Sequence, residues 1–506
     1  MRILWRQQRI KTGFVPRIRL QSSSRQFNRC KICPPNILLR PRFTAVFRPP
    51  LGAFSKSSHA SPPLHEDVYI PEVDLENFED YAVGGFHPTV IGDTFHNGRY
   101  EVAHKLGFGG FSTVWLARDN HLERYVSLKI MVAHESSKST EGSILQLLST
   151  RDGPAHQGQQ FIPRLLDQFS FDGPNGRHTC LVQEPAGCSI AASKDDSINF
   201  LFPVETARSI AAQLIMGVAY LHSRGVCHGD LQTRNFLLSG PNLDSLSPDE
   251  IHKRYRLDKA PITRFDGAAV EPRAPPYAVY SMHIKMAAEQ LIDPIVRISD
   301  YGTSFVLAAE PSPQLHTPAL YLPPEGFFNE PITLAADIWT LGVSLYEVLG
   351  ERALFETFAW DPDDILADMI STLGRPPARW WEKWENRKEF FTPSGSWLSN
   401  IKRVYTPVSR PLSQRMWDMG RGETPETCQW DVERCETRVL EELLRGMLKF
   451  EPAERWSVEQ VLASEYMVDW AMPAWERQRQ RQMGSKLGTM TVSAEFSKLV
   501  GLGLES

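Results

Sequence analysis

At 506 residues and 42% hydrophobic content, the chain has room for two packed lobes plus extensions and is too apolar to be wholly disordered or fibrous. Seven scattered cysteines, an odd number, argue against a disulfide framework and for a reducing compartment, and no apolar run reaches the roughly 20 residues of a membrane-spanning helix. The net charge of −5 hides an asymmetry: residues 1–65 carry ten Arg, three Lys and no acid, leaving 42 basic residues against 60 acidic ones, a formal −18, in residues 66–506. Such a body attracts basic partners and repels nucleic acid, so no direct nucleic-acid partner is expected.

In the leader, residues 1–65, the apolar Ile3, Leu4, Trp5, Ile10 and Phe14 lie between basic residues, the pattern of a mitochondrial presequence. Pro16, Pro34, Pro35, Pro41, Pro49 and Pro50 would interrupt a long helix, which fits a disordered basic tail equally well. Cys30 and Cys33 form a lone C-x-x-C without the second pair that a zinc site needs. Residues 66–99 read as an acidic linker and the lead-in to a small lobe spanning 100–187. Strand alternation from Tyr100 runs through Leu106, Gly107, Phe108, Gly109 and Gly110, then Phe111, Ser112, Thr113 and Val114, and on to Tyr125–Ile130, a three-strand meander. Gly107 and Gly109 let backbone amides approach the phosphates of a nucleotide, Phe111 caps the loop and Val114 covers the base. Lys129, fifteen residues after Val114, is placed to hold phosphates, with Glu141 on the following helix as its partner, although Gly142 weakens that helix. The strand at His178–Val182 then runs into a turn, Gln183 to Gly187, that reads as a hinge. Glu184, Ala186 and, further on, Leu237 complete the candidate nucleotide-binding residues.

Helical periodicity from Ala207 to Leu221 delivers the chain to His228-Gly229-Asp230-Leu231-Gln232-Thr233-Arg234-Asn235. Asp230 is placed to accept the proton of an attacking hydroxyl, Asn235 to bind magnesium, and Asp300 of Asp300-Tyr301-Gly302 to bind the magnesium that bridges the phosphates. His228 is expected to be structural. The proline-rich interval 240–294 reads as a partly ordered surface excursion. Pro323-Pro324-Glu325 closes an activation segment, Asp337–Gly342 reads as a central helix, and Glu325 and Arg455 are expected to form a buried ion pair. The glycine-rich stretch, Lys129, Asp230, Asn235 and Asp300 in this order are what ATP-dependent phosphoryl transfer requires. The expected fold is α+β, the two-lobed protein kinase: a β-rich small lobe, a helical large lobe over 188–470 with the insert 240–294, and a tail at 471–506.

The run Gly84-Gly85-Phe86-His87-Pro88, then Ile91-Gly92-Asp93, Arg99-Tyr100 and Lys105 to Ala117, resembles the small-lobe lead-in of the SR-protein kinases, here of a divergent, fungal type. These CMGC-group serine/threonine kinases phosphorylate arginine/serine-rich splicing factors and so regulate mRNA splicing. The resemblance implies ATP and Mg2+ as cofactors, proteins with basic arginine/serine-rich segments as substrates, and a monomer. It implies cytoplasm and nucleus, where the leader points to the mitochondrion. It also implies an acidic docking groove, for which Asp364 matches one carboxylate while Ser371 stands at the second acidic position. Gln232 replaces the Lys usual two residues after the catalytic Asp. Arg234 is the candidate substitute cation and, with Pro318, gives a tyrosine-kinase flavour. Gly229 replaces the Arg that makes many kinases depend on activation-loop phosphorylation. A nucleotide-binding pseudokinase or scaffold, suggested by Gln232 and Gly142, and a small-molecule phosphotransferase, suggested by His-Gly-Asp-Leu, remain alternatives.

Overall fold

The computed structural model describes residues 67–150, 155–270, 272–307, 313–357, 361–398 and 409–484. All lie within one compact unit, Phe54–Ser506; the basic leader, with Cys30 and Cys33, lies outside the described residues. Among these, no helix is long and apolar enough to cross a membrane.

The small lobe is built on β1 (Thr94–Phe95), β2 (Tyr100–Gly109), β3 (Ser112–Asp119), β4 (Arg124–Met131), α1 (Ala133–Ser136), α2 (Glu141–Ser149), β5 (Leu165–Gly173) and β6 (Gly176–Gln183). The expected meander β2-β3-β4 is present inside a six-stranded antiparallel sheet of order β1-β2-β3-β4-β6-β5. Strand β3 is buried on both faces, so its polar/apolar alternation is weak. One face packs Trp115 and Ala117 against Val126, Leu128 and Val182. The other packs Leu116, with Ala103 and Tyr125, against Leu243, Ile251, Met282 and Ile284 of the insert.

The insert is therefore no surface excursion. It forms α5 (Pro248–Tyr255), started by a Ser247/Glu250 capping box, and a β9–β10 hairpin (Lys259–Pro261, Tyr277–Val279). The hairpin packs Ala260, Ile262, Ala274 and Ala278 on Leu75, Phe78 and Phe86 of the lead-in. Residues 67–99, read as an acidic linker and lead-in, thus contribute Leu75, Phe78 and Phe86 to the small-lobe packing.

The large lobe follows with α3 (Ile190–Asp195), α4 (Val204–Ser223) and two short antiparallel pairs. These are β7 (Val226–Cys227) with β12 (Phe305–Val306), and β8 (Phe236–Leu238) with β11 (Val296–Ile298). They are followed by α6 (Pro324–Phe327), α7 (Leu334–Leu349) and α8 (Pro362–Leu373). Helices α4 and α7 are buried almost all round, as expected of central helices in a large core. The expected boundary at 470 falls inside a helix that runs from 465 to 484; Trp475 is buried there and Gln478 accepts a hydrogen bond from Ser209 at 2.6 Å. Of the expected tail, residues 485–506 lie outside the described residues.

Candidate active site

The site assembles where the two small strand pairs converge. The catalytic loop 228–235 joins β7 to β8, and Asp300-Tyr301-Gly302 joins β11 to β12. Pairing of β8 with β11 brings Asn235 beside the Asp300 turn, with Ser299 N donating to Asn235 O at 2.8 Å.

Lys129 extends from β4 into this region. Its ammonium lies 2.7 Å from both Glu141 carboxylate oxygens and 2.8 Å from Asp300 Oδ1. Burial alone would lower the pKa of Lys129, but the charges of Asp300 and Glu141 outweigh it and raise it. The Lys129 charge holds Asp300 below the usual carboxylate range. Glu141, the first residue of α2, is pushed up by burial. Gly142 therefore lies in the first helical turn, where a Cβ would fall 2.2 Å from Gln168 Oε1 on β5. Gln168 is exposed and the contact is with the far end of its side chain, which can swing aside.

Asp230 is held by amides. Gln232 Nε2 lies 2.9 and 2.8 Å from its two carboxylate oxygens, and Asn235 Nδ2 donates to Oδ2 at 2.7 Å and to its backbone carbonyl at 2.9 Å. Burial, opposed by these hydrogen bonds and assisted by the charges of Asp300 and Asp337, raises its pKa to about 7. Arg234, the candidate substitute cation, is exposed, and the partners of Asp230 are Gln232 and Asn235. With the Asn235 nitrogen engaged, its oxygen and the Asp300 carboxylate present the hard donors that a divalent cation such as Mg2+ takes. Asp300 adopts φ +68°, a left-handed conformation characteristic of constrained functional turns.

The loop is locked from beneath. Asp337 on α7 accepts from His228 N at 2.7 Å, Gly229 N at 2.9 Å and His222 Nε2 at 3.1 Å, so its pKa stays low despite full burial. The buried His228 ring bonds only backbone groups, Ser299 O and Asp230 N, and meets the Tyr301 ring edge-on at 4.9 Å, a structural role.

Along the glycine-rich stretch, Gly107, Gly109 and Gly110 face open space, and Phe111 is exposed at the tip. Val114 pairs with Lys129 across β3 and β4, which places both on one face of the sheet. Thr113 and Ser112 are buried, and Thr113 accepts a hydrogen bond from Trp115 Nε1, so Thr113 offers the cleft only its backbone. Leu106 and Phe108 are half-buried, Leu106 against insert residues. The hinge residues Glu184 and Ala186 follow β6; the next residue, Gly187, donates to Leu238 O at 2.7 Å, beside Leu237 on β8. Sequence reasoning missed Met286. As the insert returns, its sulfur comes within 2.6 Å of where a Cβ on Gly187 would sit, so the insert lines the hinge. Only the lone Met286 marks this in the sequence, and it carries no motif.

Glu325 and Arg455 form the expected buried pair, at 2.7 and 2.6 Å. The acidic stretch that the resemblance makes a docking candidate is largely engaged within the large lobe. Asp361 caps α8, Asp363 accepts from Trp384 and Asn386, Asp364 is buried, Asp368 pairs with Arg415, and Ser371 accepts from Arg410 N. The acidic stretch is spent on internal contacts because α8 buries most of its surface.

A protein kinase domain matches residues 100–246 and 283–467, leaving a gap that falls inside the insert. The serine/threonine-protein kinase SRPK of Physarum polycephalum is 28% identical over 410 residues, 78% of this chain and 91% of that protein. Protein kinase dsk1 of Schizosaccharomyces pombe is 41% identical over 166 residues, and SRSF protein kinase 3 of Homo sapiens 39% over 166 residues. Those two matches cover 32% of this chain and only 30% and 29% of the relatives. The chain belongs to the protein kinase family, as a member whose domain is split by an insert and which is similar to the SRPK-type serine/threonine kinases.

Proposed function

We propose that the protein transfers the γ-phosphate of Mg-ATP to serine or threonine hydroxyls in basic, arginine/serine-rich protein segments. The observation that carries the reading is the convergence of Lys129, Glu141 and Asp300 within 2.8 Å, beside an Asp230 whose carboxylate is oriented by two amides. Lys129, fixed by Glu141, holds the phosphates. Asp230, poised near neutrality, takes the proton of the acceptor hydroxyl. Asn235 and Asp300 hold the cation, which when bound supplies charge neutralisation across the phosphates. The formal −18 of residues 66–506 and the similarity to a relative named SRSF protein kinase 3 support a basic substrate.

The test is radiolabelled transfer from Mg-ATP to an arginine/serine repeat peptide, comparing the full chain with Asp230→Ala. Transfer that falls at least about 100-fold in the variant is expected. ATP binding without transfer in either would select a pseudokinase, the reading that Gln232 at the cation's position favours.

A further inference from the structure

The lead-in segment packs beneath the nucleotide loop. Lys105, which immediately precedes Leu106 and Gly107, is buried on β2, and its ammonium pairs with Glu76, equally buried. Glu76 also accepts the Tyr81 hydroxyl at 2.6 Å. The same ammonium lies 5.1 Å from the ring centroid of Phe108, inside the glycine-rich loop, and 5.6 Å from that of Trp115, its cross-strand neighbour. The Lys105 carbonyl accepts Met282 N of the insert at 2.7 Å. One residue at the root of the loop is thus held by its side chain from the lead-in and by its backbone from the insert.

This anchor sits where β2 is irregular, its register with β3 shifting between Lys105 and Gly107. At such a break the ladder no longer dictates the direction of the strand, and local contacts do. Stability alone does not call for charge here, since an apolar pair of similar volume commonly serves as well or better. What an ion pair adds is a fixed geometry, and the ammonium passes that geometry to Phe108 through its ring. The geometry points to Glu76 as a positioning residue for nucleotide binding: through Lys105 and Phe108 it holds the glycine-rich loop in the shape that receives the phosphates. The lead-in then belongs functionally to the nucleotide site without touching the nucleotide.

The inference rests on the ATP-binding reading above, and calorimetric binding of Mg-ATP to the full chain separates the two. For Glu76→Gln, the Kd and the KM for ATP rise about tenfold, a change of about 1.4 kcal/mol, while kcat on the peptide stays within about twofold. Glu76→Asp, which keeps the charge, recovers part of the loss. Unchanged Kd in a folded Glu76→Gln protein overturns the inference, even if its melting temperature falls. Should Glu76→Gln fail to fold, the double variant E76L/K105M, which buries no charge, carries the test: it folds and binds Mg-ATP at least about fivefold more weakly, and wild-type affinity in it overturns the inference. Absence of Mg-ATP binding in the wild type overturns the nucleotide reading itself, and this inference with it.

Discussion

Asp230 is oriented by carboxamides where most serine/threonine kinases use a cation. Gln232 contacts both carboxylate oxygens, so in the proposed function it would aim the base where the sequence alone suggested a missing cation. Truncation in Gln232→Ala removes those contacts and is expected to lower kcat about tenfold with KM for ATP within about twofold, while Gln232→Lys restores most of it; steady-state kinetics with a basic peptide checks this. A Gln232→Ala protein with wild-type kcat would show that Asn235 alone suffices. The motif residues Lys129, Asp230, Asn235 and Asp300 were legible because each sits in a short local motif and the motifs follow one another in a fixed order, even across the insert. The function of Gln232 was not legible, since a glutamine near an aspartate carries no geometric information until the loop is folded.

At the scale of elements, the activation segment is tied to the catalytic loop without a phosphate. The Thr317 hydroxyl donates to Gly229 O at 2.6 Å and the Ser304 hydroxyl to His228 O at 2.9 Å. Gly229 itself has φ +79°, and a Cβ there would sit 3.1 Å from Thr303 O, so a side chain at this position is disfavoured by backbone and neighbours alike. With Gly229 before Asp230, the position where many kinases carry an arginine for a phosphate to neutralise holds no cation. Phosphatase treatment is therefore expected to leave peptide phosphorylation within about twofold of the untreated enzyme; a loss of an order of magnitude would contradict it. The glycine was readable as a departure from the usual motif. The insert was misread for a related reason: its prolines signal breaks in regular structure, whereas its burial comes from contacts with strands more than a hundred residues earlier in the chain.

For the whole molecule, acid sensitivity follows from histidines buried as neutral rings. His87 of the lead-in packs against Phe171, Phe95 and His178, with ring centroids 4.8, 5.7 and 5.1 Å away. Burial, with the nearby His178, pushes its pKa from 6.5 down to about 4, and burial lowers His178 as well. The unfolded chain takes up a proton below pH 6.5 that the folded chain refuses until about pH 4, so stability falls as pH drops through that window. His87 alone accounts for about 2 kcal/mol at pH 5. Urea midpoints at pH 7.5 and pH 5 should differ accordingly, and His87→Phe should narrow the difference; an unaltered difference would mean that other groups set it. The sequence by itself determined the kinase fold class, the order of the motifs and the candidates for phosphate handling, because hydrophobic periodicity and short motifs are local properties of the chain. Only the tertiary structure decided that the lead-in and the insert belong to the small-lobe core, that Glu76 meets Lys105, and that the acidic stretch of α8 turns inward. Each of these joins residues far apart in sequence, and which partner a buried charge or apolar face finds is fixed by the packing that excludes water from it.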